Sequence, residues 1–179
     1  RPLAAERVPG FAAGEVSVQD AGAQRAAGLL DLADGMRVLD ACAAPGGKSA
    51  HLLETADVDL VALDVSAERA RLVSANLDRL GLAARVVPED CRDLAKWWDG
   101  RPFDRILADV PCSASGVVRR HPDAKWLRRA GDIGGFVAQQ AAILDAVWRT
   151  LAPGGKMLYA TCSLFAVENA AQVAAFVGR

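Results

Sequence analysis

Two cysteines in this chain stand just past what read as buried strands: Cys112 in Asp109-Val110-Pro111-Cys112-Ser113, and Cys162 in Thr161-Cys162-Ser163. A third segment, Asp40-Ala41-Cys42-Ala43-Ala44-Pro45-Gly46-Gly47-Lys48, is a glycine turn of the kind that lets backbone come close to a nucleotide cofactor. A thiolate adds to electron-poor rings, and a second ionisable group can move the protons that such an addition requires. Two thiols beside one cofactor turn therefore suggest covalent attack on a ring, followed by transfer of a group from the cofactor. The ordinary explanation of a free cysteine is packing. It would make both thiols buried strand-end residues, and it gives no reason for one to follow each of two strands.

Such residues need elements to hold them. Residues 37–40 read as a first buried strand, followed by the Gly46-Gly47 turn and a helix over 48–54. A second strand spans 59–64, and its helix, 67–80, stops at Gly81. Residues 84–87 and 103–109 are the third and fourth strands, with a long irregular stretch over 110–135. A helix over 136–151 is closed by Pro153-Gly154-Gly155, a fifth strand covers 156–160, and a last helix 167–177. Ahead of all this, residues 1–35 form an entry segment with a helix near 21–30. Short apolar strands alternating with helices predict an α/β fold, with a parallel sheet covered on both faces. Ligands in such sheets sit beyond the carboxyl ends of the strands, where Asp40, Asp64, Asp109 and Thr161-Cys162 all fall.

A chain of 179 residues with 52% hydrophobic side chains has enough apolar surface for one packed domain. Its net charge of −1 excludes binding nucleic acid by overall charge, although a local basic stripe remains open. The four cysteines include no C-x-x-C pair and there are only two histidines, so no metal site and no disulfide framework is predicted, and a reducing cytoplasm is the expected location. No apolar run approaches the ~20 residues of a membrane span. Gly46-Gly47-Lys48-Ser49 imitates the end of a P-loop, but Cys42 occupies the place of the required first glycine. The G-x-G-x-x-G fingerprint is absent too. Asp64 closes the second strand, where a carboxylate takes ribose hydroxyls in nucleotide folds, and Asp90, past the third, is a candidate for an adenine amino group. The plainer alternative makes Asp40 and Asp64 helix caps or turn formers.

Taken together, the glycine turn, Asp-Val-Pro-Cys-Ser and Thr-Cys-Ser, in this order, resemble the motifs of the S-adenosylmethionine-dependent RNA (cytosine-5) methyltransferases. Ser17-Val18-Gln19-Asp20 and the run from Gly116 to Leu127 narrow the likeness to the bacterial 16S ribosomal RNA branch of RsmB or Sun type. The resemblance implies a Rossmann-like class I methyltransferase fold, strand order 3-2-1-4-5, with the terminal antiparallel strands missing. It implies a catalytic core over 36–179, without the family's N-terminal RNA-binding domain. It also implies S-adenosylmethionine held by Cys42, Ala43, Ala44, Pro45, Gly46, Gly47, Lys48, Asp64, Asp90 and Asp109. Cys162 would attack carbon 6 of a cytosine, Cys112 would assist release after carbon 5 is methylated, and Asp109 would face the ring or the cofactor's charged end. The residues themselves leave the two thiol roles open, because in related DNA methyltransferases the cysteine after proline attacks. Val110 stands where the family commonly has Ala, a change of bulk only.

Arg119, Arg120, Lys125, Arg128 and Arg129 crowd the segment after Cys112, interleaved with His121 and Trp126. Basic residues meet phosphates, and aromatics stack on splayed bases. The bland reading is a solvated loop that Trp126 anchors to the core. The implied partner is 16S ribosomal RNA, with a single-stranded or flipped-out cytosine; no membrane and no metal are implied, and a monomer is expected. Two other classes compete: a non-catalytic RNA-binding or ribosome-assembly module that kept the cofactor fold, and a small-molecule or protein methyltransferase, which needs no cysteine pair.

Overall fold

The computed structural model describes residues 3–179. Five strands, β1 (Arg37–Asp40), β2 (Asp59–Leu63), β3 (Arg85–Val87), β4 (Phe103–Asp109) and β5 (Leu151–Ala160), form one sheet in the order β3-β2-β1-β4-β5. All neighbouring pairs are parallel, and the order is the one anticipated. The chain builds one half of the sheet outward from β1, then returns to lay β4 against β1's other side. Strand order thus reverses between β1 and β4, which opens a crevice beyond their carboxyl ends.

The helices are α1 (Arg25–Leu29), α2 (Gly47–Thr55), α3 (Ala67–Arg79), α4 (Leu94–Trp97), α5 (Ala124–Leu127), α6 (Ala130–Trp148) and α7 (Ala170–Val177). Both faces of the sheet are covered, and successive strand residues divide between them. Leu39, Val61 and Ile106 pack with Trp97, Ile143, Leu144 and Val147 of α4 and α6. Val38, Leu60 and Leu107 pack with Ala26, Ala27 and Leu52 of α1 and α2. This is why the strands read as continuous apolar runs rather than alternating ones. The segment before α1 is tied down by Arg79 of α3, which donates to the carbonyls of Phe11 at 2.6 Å and Val16 at 3.1 Å.

Three boundaries differ from expectation. The stretch 110–135 holds a 3₁₀ turn (Ser115–Val117), α5 and the start of α6. Gly131, Gly134 and Gly135 hide that start from helix propensity, but the Asp132 carboxylate accepts the Arg129 N–H at 2.9 Å and begins the helix there. β5 begins at Leu151, because Leu151 already pairs with Phe103; a register shift then absorbs Pro153-Gly154-Gly155 before Lys156 meets Arg105. That irregularity is tolerable on an edge strand. The closing helix is split, a 3₁₀ turn (Ala166–Glu168) being separated from α7 by Asn169. Among the described residues, no helix is long and apolar enough to cross a membrane.

Candidate active site

The glycine turn leaves β1 at Asp40 and enters α2. The Ala43 N–H donates to the Leu63 carbonyl at 2.7 Å, which laces the turn to the end of β2. Gly46 has φ +98°, and a Cβ there would lie 3.0 Å from Val73 Cα, so only glycine lets the turn lie this close to α3. Ala43 is packed in the core, and Pro45, Gly46 and Gly47 shape the turn. Cys42, Ala44 and Lys48 line a cavity of about 840 Å³, together with Asp64, Asp90, Asp109, Cys112 and Cys162.

Asp64 is buried in this wall; its Oδ1 accepts the Ser66 N–H at 3.0 Å, and Arg69 lies 3.4 Å from Oδ2. Arg69 also donates to the Ala44 carbonyl at 3.2 Å, joining α3 to the turn. Asp90 is gripped by Arg92, whose Nη2 donates to Oδ2 at 2.6 Å and whose Nε donates to Oδ1 at 2.9 Å. These Arg92 bonds hold the Asp90 carboxyl below the usual range. Beneath the turn, Ser49 Oγ donates to Asp40 Oδ2 at 2.7 Å. Burial dominates at Asp40 and raises its pKa to about 7. Cys42 is also pushed up, first by its hydrogen bond with Cys91 and then by burial.

β4 and β5 run side by side, with Asp109 opposite Ala160, so the loops that leave them emerge at the same edge. The Cys112 and Cys162 sulfurs lie 3.4 Å apart; Cys112 is buried and Cys162 is exposed toward the cavity. Gly116 allows this closeness, since a Cβ there would sit 2.6 Å from the Cys162 carbonyl oxygen. Either sulfur can donate to the other across this contact. A hydrogen bond from Cys162, followed by backbone N–H groups, lowers Cys112 to about 6, and Cys162 is raised in turn chiefly by that same bond. Lys48 Nζ donates to Asp109 Oδ2 at 2.6 Å, placing an ion pair between the turn and the thiols.

The family described as "16S rRNA methyltransferase RsmB/F" matches residues 27–179. The chain belongs to it. "Ribosomal RNA small subunit methyltransferase B" of Pseudomonas putida is 55% identical over 174 residues, covering 96% of this chain and 40% of that protein. The chain thus spans about two fifths of the length of the curated relatives it matches. Among solved structures, NSun6 from Pyrococcus horikoshii with SFG aligns with TM-score 0.90 at 29% identity, over 99% of this chain and 46% of that one. A methyltransferase homolog protein, also from Pyrococcus horikoshii, aligns with TM-score 0.83 at 30% identity, over the whole of this chain and 56% of its own.

The basic residues expected of this RsmB/F chain do not form one free patch. Arg120 is paired with Asp20 at 3.0 Å, across the cavity mouth. Arg128 Nε donates to the Ser113 carbonyl at 3.2 Å, and its guanidinium lies over Phe136, turning it toward the cysteine loop. Arg119, Lys125 and Arg129 are exposed. Trp126 is 81% exposed, so it does not anchor the loop to the core. Sequence reasoning missed Arg69, Arg92 and, above all, Glu168. Glu168 lies in an irregular turn after β5 with no motif to mark it, yet it is wholly buried beside both cysteine loops. The only available signal was a single charged residue within an otherwise uncharged stretch from Met157 to Gly178.

Proposed function

We propose that this chain is the catalytic core of an S-adenosylmethionine-dependent enzyme that methylates carbon 5 of a cytosine in 16S ribosomal RNA, through a covalent bond between Cys162 and the base. The observation that carries this reading is the 3.4 Å approach of two sulfurs at the rim of a cavity that also holds Asp64 and the Lys48–Asp109 pair. Nitrogen and oxygen acceptors are nucleophilic already and need no thiol, whereas carbon 5 of cytosine becomes nucleophilic only after addition at carbon 6.

The residues suit the cofactor. Asp64 offers a buried carboxylate to ribose hydroxyls, Asp90 stands on the same wall for an adenine amino group, and Cys42 and Ala44 present backbone where Gly46 permits a tight turn. When bound, S-adenosylmethionine supplies an electrophilic methyl group. Ala43, Pro45, Gly46 and Gly47 act by shaping the turn.

The Cys162 thiol gives its proton to solvent as it attacks, while Cys112, 3.4 Å away, is kept for the release step. The Cys162 sulfur bonds to carbon 6, and the ring electron pair is displaced toward carbon 5, the position that would take the methyl group from a bound cofactor with the neutral thioether as leaving group. The Lys48–Asp109 pair meets charge developing on ring nitrogen 3. Cys112, its pKa lowered to about 6, then removes the proton from carbon 5, and Cys162 leaves with its electron pair as the double bond returns. Exposed Arg119, Lys125 and Arg129 meet phosphates, and exposed Trp126 stacks on an unpaired base. The thiols stay reduced in a cytoplasm.

The test uses labelled S-adenosylmethionine and 16S ribosomal RNA with wild type, Cys162→Ala and Cys112→Ala in parallel. Cys162→Ala forms no covalent adduct and transfers no label. Cys112→Ala accumulates a protein–RNA species that survives denaturation. Transfer unaffected by either change removes the covalent mechanism.

A further inference from the structure

Each reactive cysteine is followed directly by a serine, and the two serines converge on one buried carboxylate. Ser113 Oγ and Ser163 Oγ each donate to Glu168 Oε2 at 2.5 Å, and lie 3.2 Å from one another. Glu168 Oε1 accepts the Ser113 N–H at 2.9 Å and Gln140 Nε2 at 3.1 Å. Gln140 also donates to the Pro111 carbonyl at 3.0 Å, and the Glu168 carbonyl accepts the Tyr159 hydroxyl at 2.6 Å. One side chain therefore gathers the loop after β4, the loop after β5 and helix α6. Burial pushes the Glu168 carboxyl up, but the bonds from Ser113 and Ser163 outweigh it and keep the group ionised.

Burying a carboxylate with only neutral donors is unfavourable, and apolar contact could have joined the loops without that penalty. Apolar contact does not define a distance. A carboxylate oxygen shared by two hydroxyls does, because both bonds are short and directional. The geometry points to Glu168 as a positioning residue that, through Ser113 and Ser163, sets the spacing of the Cys112 and Cys162 sulfurs. Its place in catalysis rests on the methyl-transfer reading above; its effect on the thiols does not.

Position and charge act on Cys112 with opposite signs. The negative Glu168 opposes a Cys112 anion, whereas a Cys162 S–H held within reach stabilises one. The other ionisable groups around the pair are Tyr159 below it, Asp109 with Lys48 beside it, and Arg128, whose Nε donates to the Ser113 carbonyl next to Cys112. The readout is the rate of Cys112 alkylation by iodoacetamide against pH, followed by peptide mass spectrometry on this chain without RNA. Ser163→Ala leaves the Glu168 charge in place; the Cys112 profile moves upward by about two pH units, and alkylation at pH 7 falls about tenfold. Ser163→Thr keeps the hydroxyl and restores the wild-type profile. Glu168→Gln moves the profile upward too, although a negative charge has been removed. A downward move in Glu168→Gln, or a Ser163→Ala profile that matches wild type while only the melting temperature drops, overturns the proposal. In the methyl-transfer assay, Ser163→Ala lowers kcat and leaves KM for the cofactor unchanged. Shifted alkylation in a protein that transfers no methyl group would sink the enzymatic reading and leave the positioning role standing.

Discussion

Asp40 tests the packing beneath the glycine turn. Its carboxyl is 1% exposed at the end of β1; Oδ2 accepts the Ser49 hydroxyl, and Oδ1 has no hydrogen-bond partner. Burial lifts its pKa from 3.8 to about 7, nearby Asp109 adds to the lift, and Ser49 and Lys48 oppose it. In the unfolded chain the group titrates near its ordinary value. Between those two values the folded protein holds a proton that the unfolded chain releases. Stability from this site is therefore full below about pH 4 and is lost as pH rises through about 7. At ~1.4 kcal/mol per pH unit, raising pH from 5 to 8 removes about 3 kcal/mol through Asp40 alone. Asp40→Asn keeps an oxygen for Ser49 and abolishes the titration. Urea unfolding of both proteins at pH 5 and pH 8 gives a double difference in which all other titrations cancel. The expected result is that wild type loses about 3 kcal/mol more than the variant over this interval. An equal loss in both would refute the argument that an uncompensated buried carboxyl lies under the turn.

Two further substitutions probe the turn and the surface proposed to face RNA. Gly46→Ala forces a side chain into a φ of +98° and against Val73, and should cost about 1–3 kcal/mol, lowering the melting temperature by several degrees and weakening cofactor binding measured by calorimetry. Trp126→Ala removes an exposed ring that packs on nothing in the core, and should weaken binding of single-stranded RNA by about tenfold in a filter assay while the melting temperature stays within a degree.

Much of the fold was legible from local chemistry. The centres of the runs at 37–40 and 103–109, Val38-Leu39 and Ile106-Leu107-Ala108, are apolar because both faces of a parallel sheet are covered, and the bounds of the runs agree with β1 and β4. Gly81, with φ +69°, ends α3 where a glycine stop was read. The start of α6 was hidden because three glycines weaken helix propensity, while its capping contact depends on one side chain, Asp132. The edge strand was shortened because Pro153-Gly154-Gly155 reads as a stop, although the ladder resumes beyond it.

For the site, the division follows the range of the forces involved. Residue type and position along the chain were enough to nominate Cys112, Cys162, Asp64, Lys48 and the glycine turn, because a thiol after a strand and a glycine with positive φ carry their chemistry locally. Only the folded arrangement decided that two sulfurs 50 residues apart meet at 3.4 Å, that Lys48 spends its charge on Asp109, and that Arg92 grips Asp90. Glu168 belongs wholly to this second class. A carboxylate becomes a clamp only when burial strips away its water and leaves Ser113, Ser163 and Gln140 as its donors, and burial is a property of the packed chain, not of any segment of it.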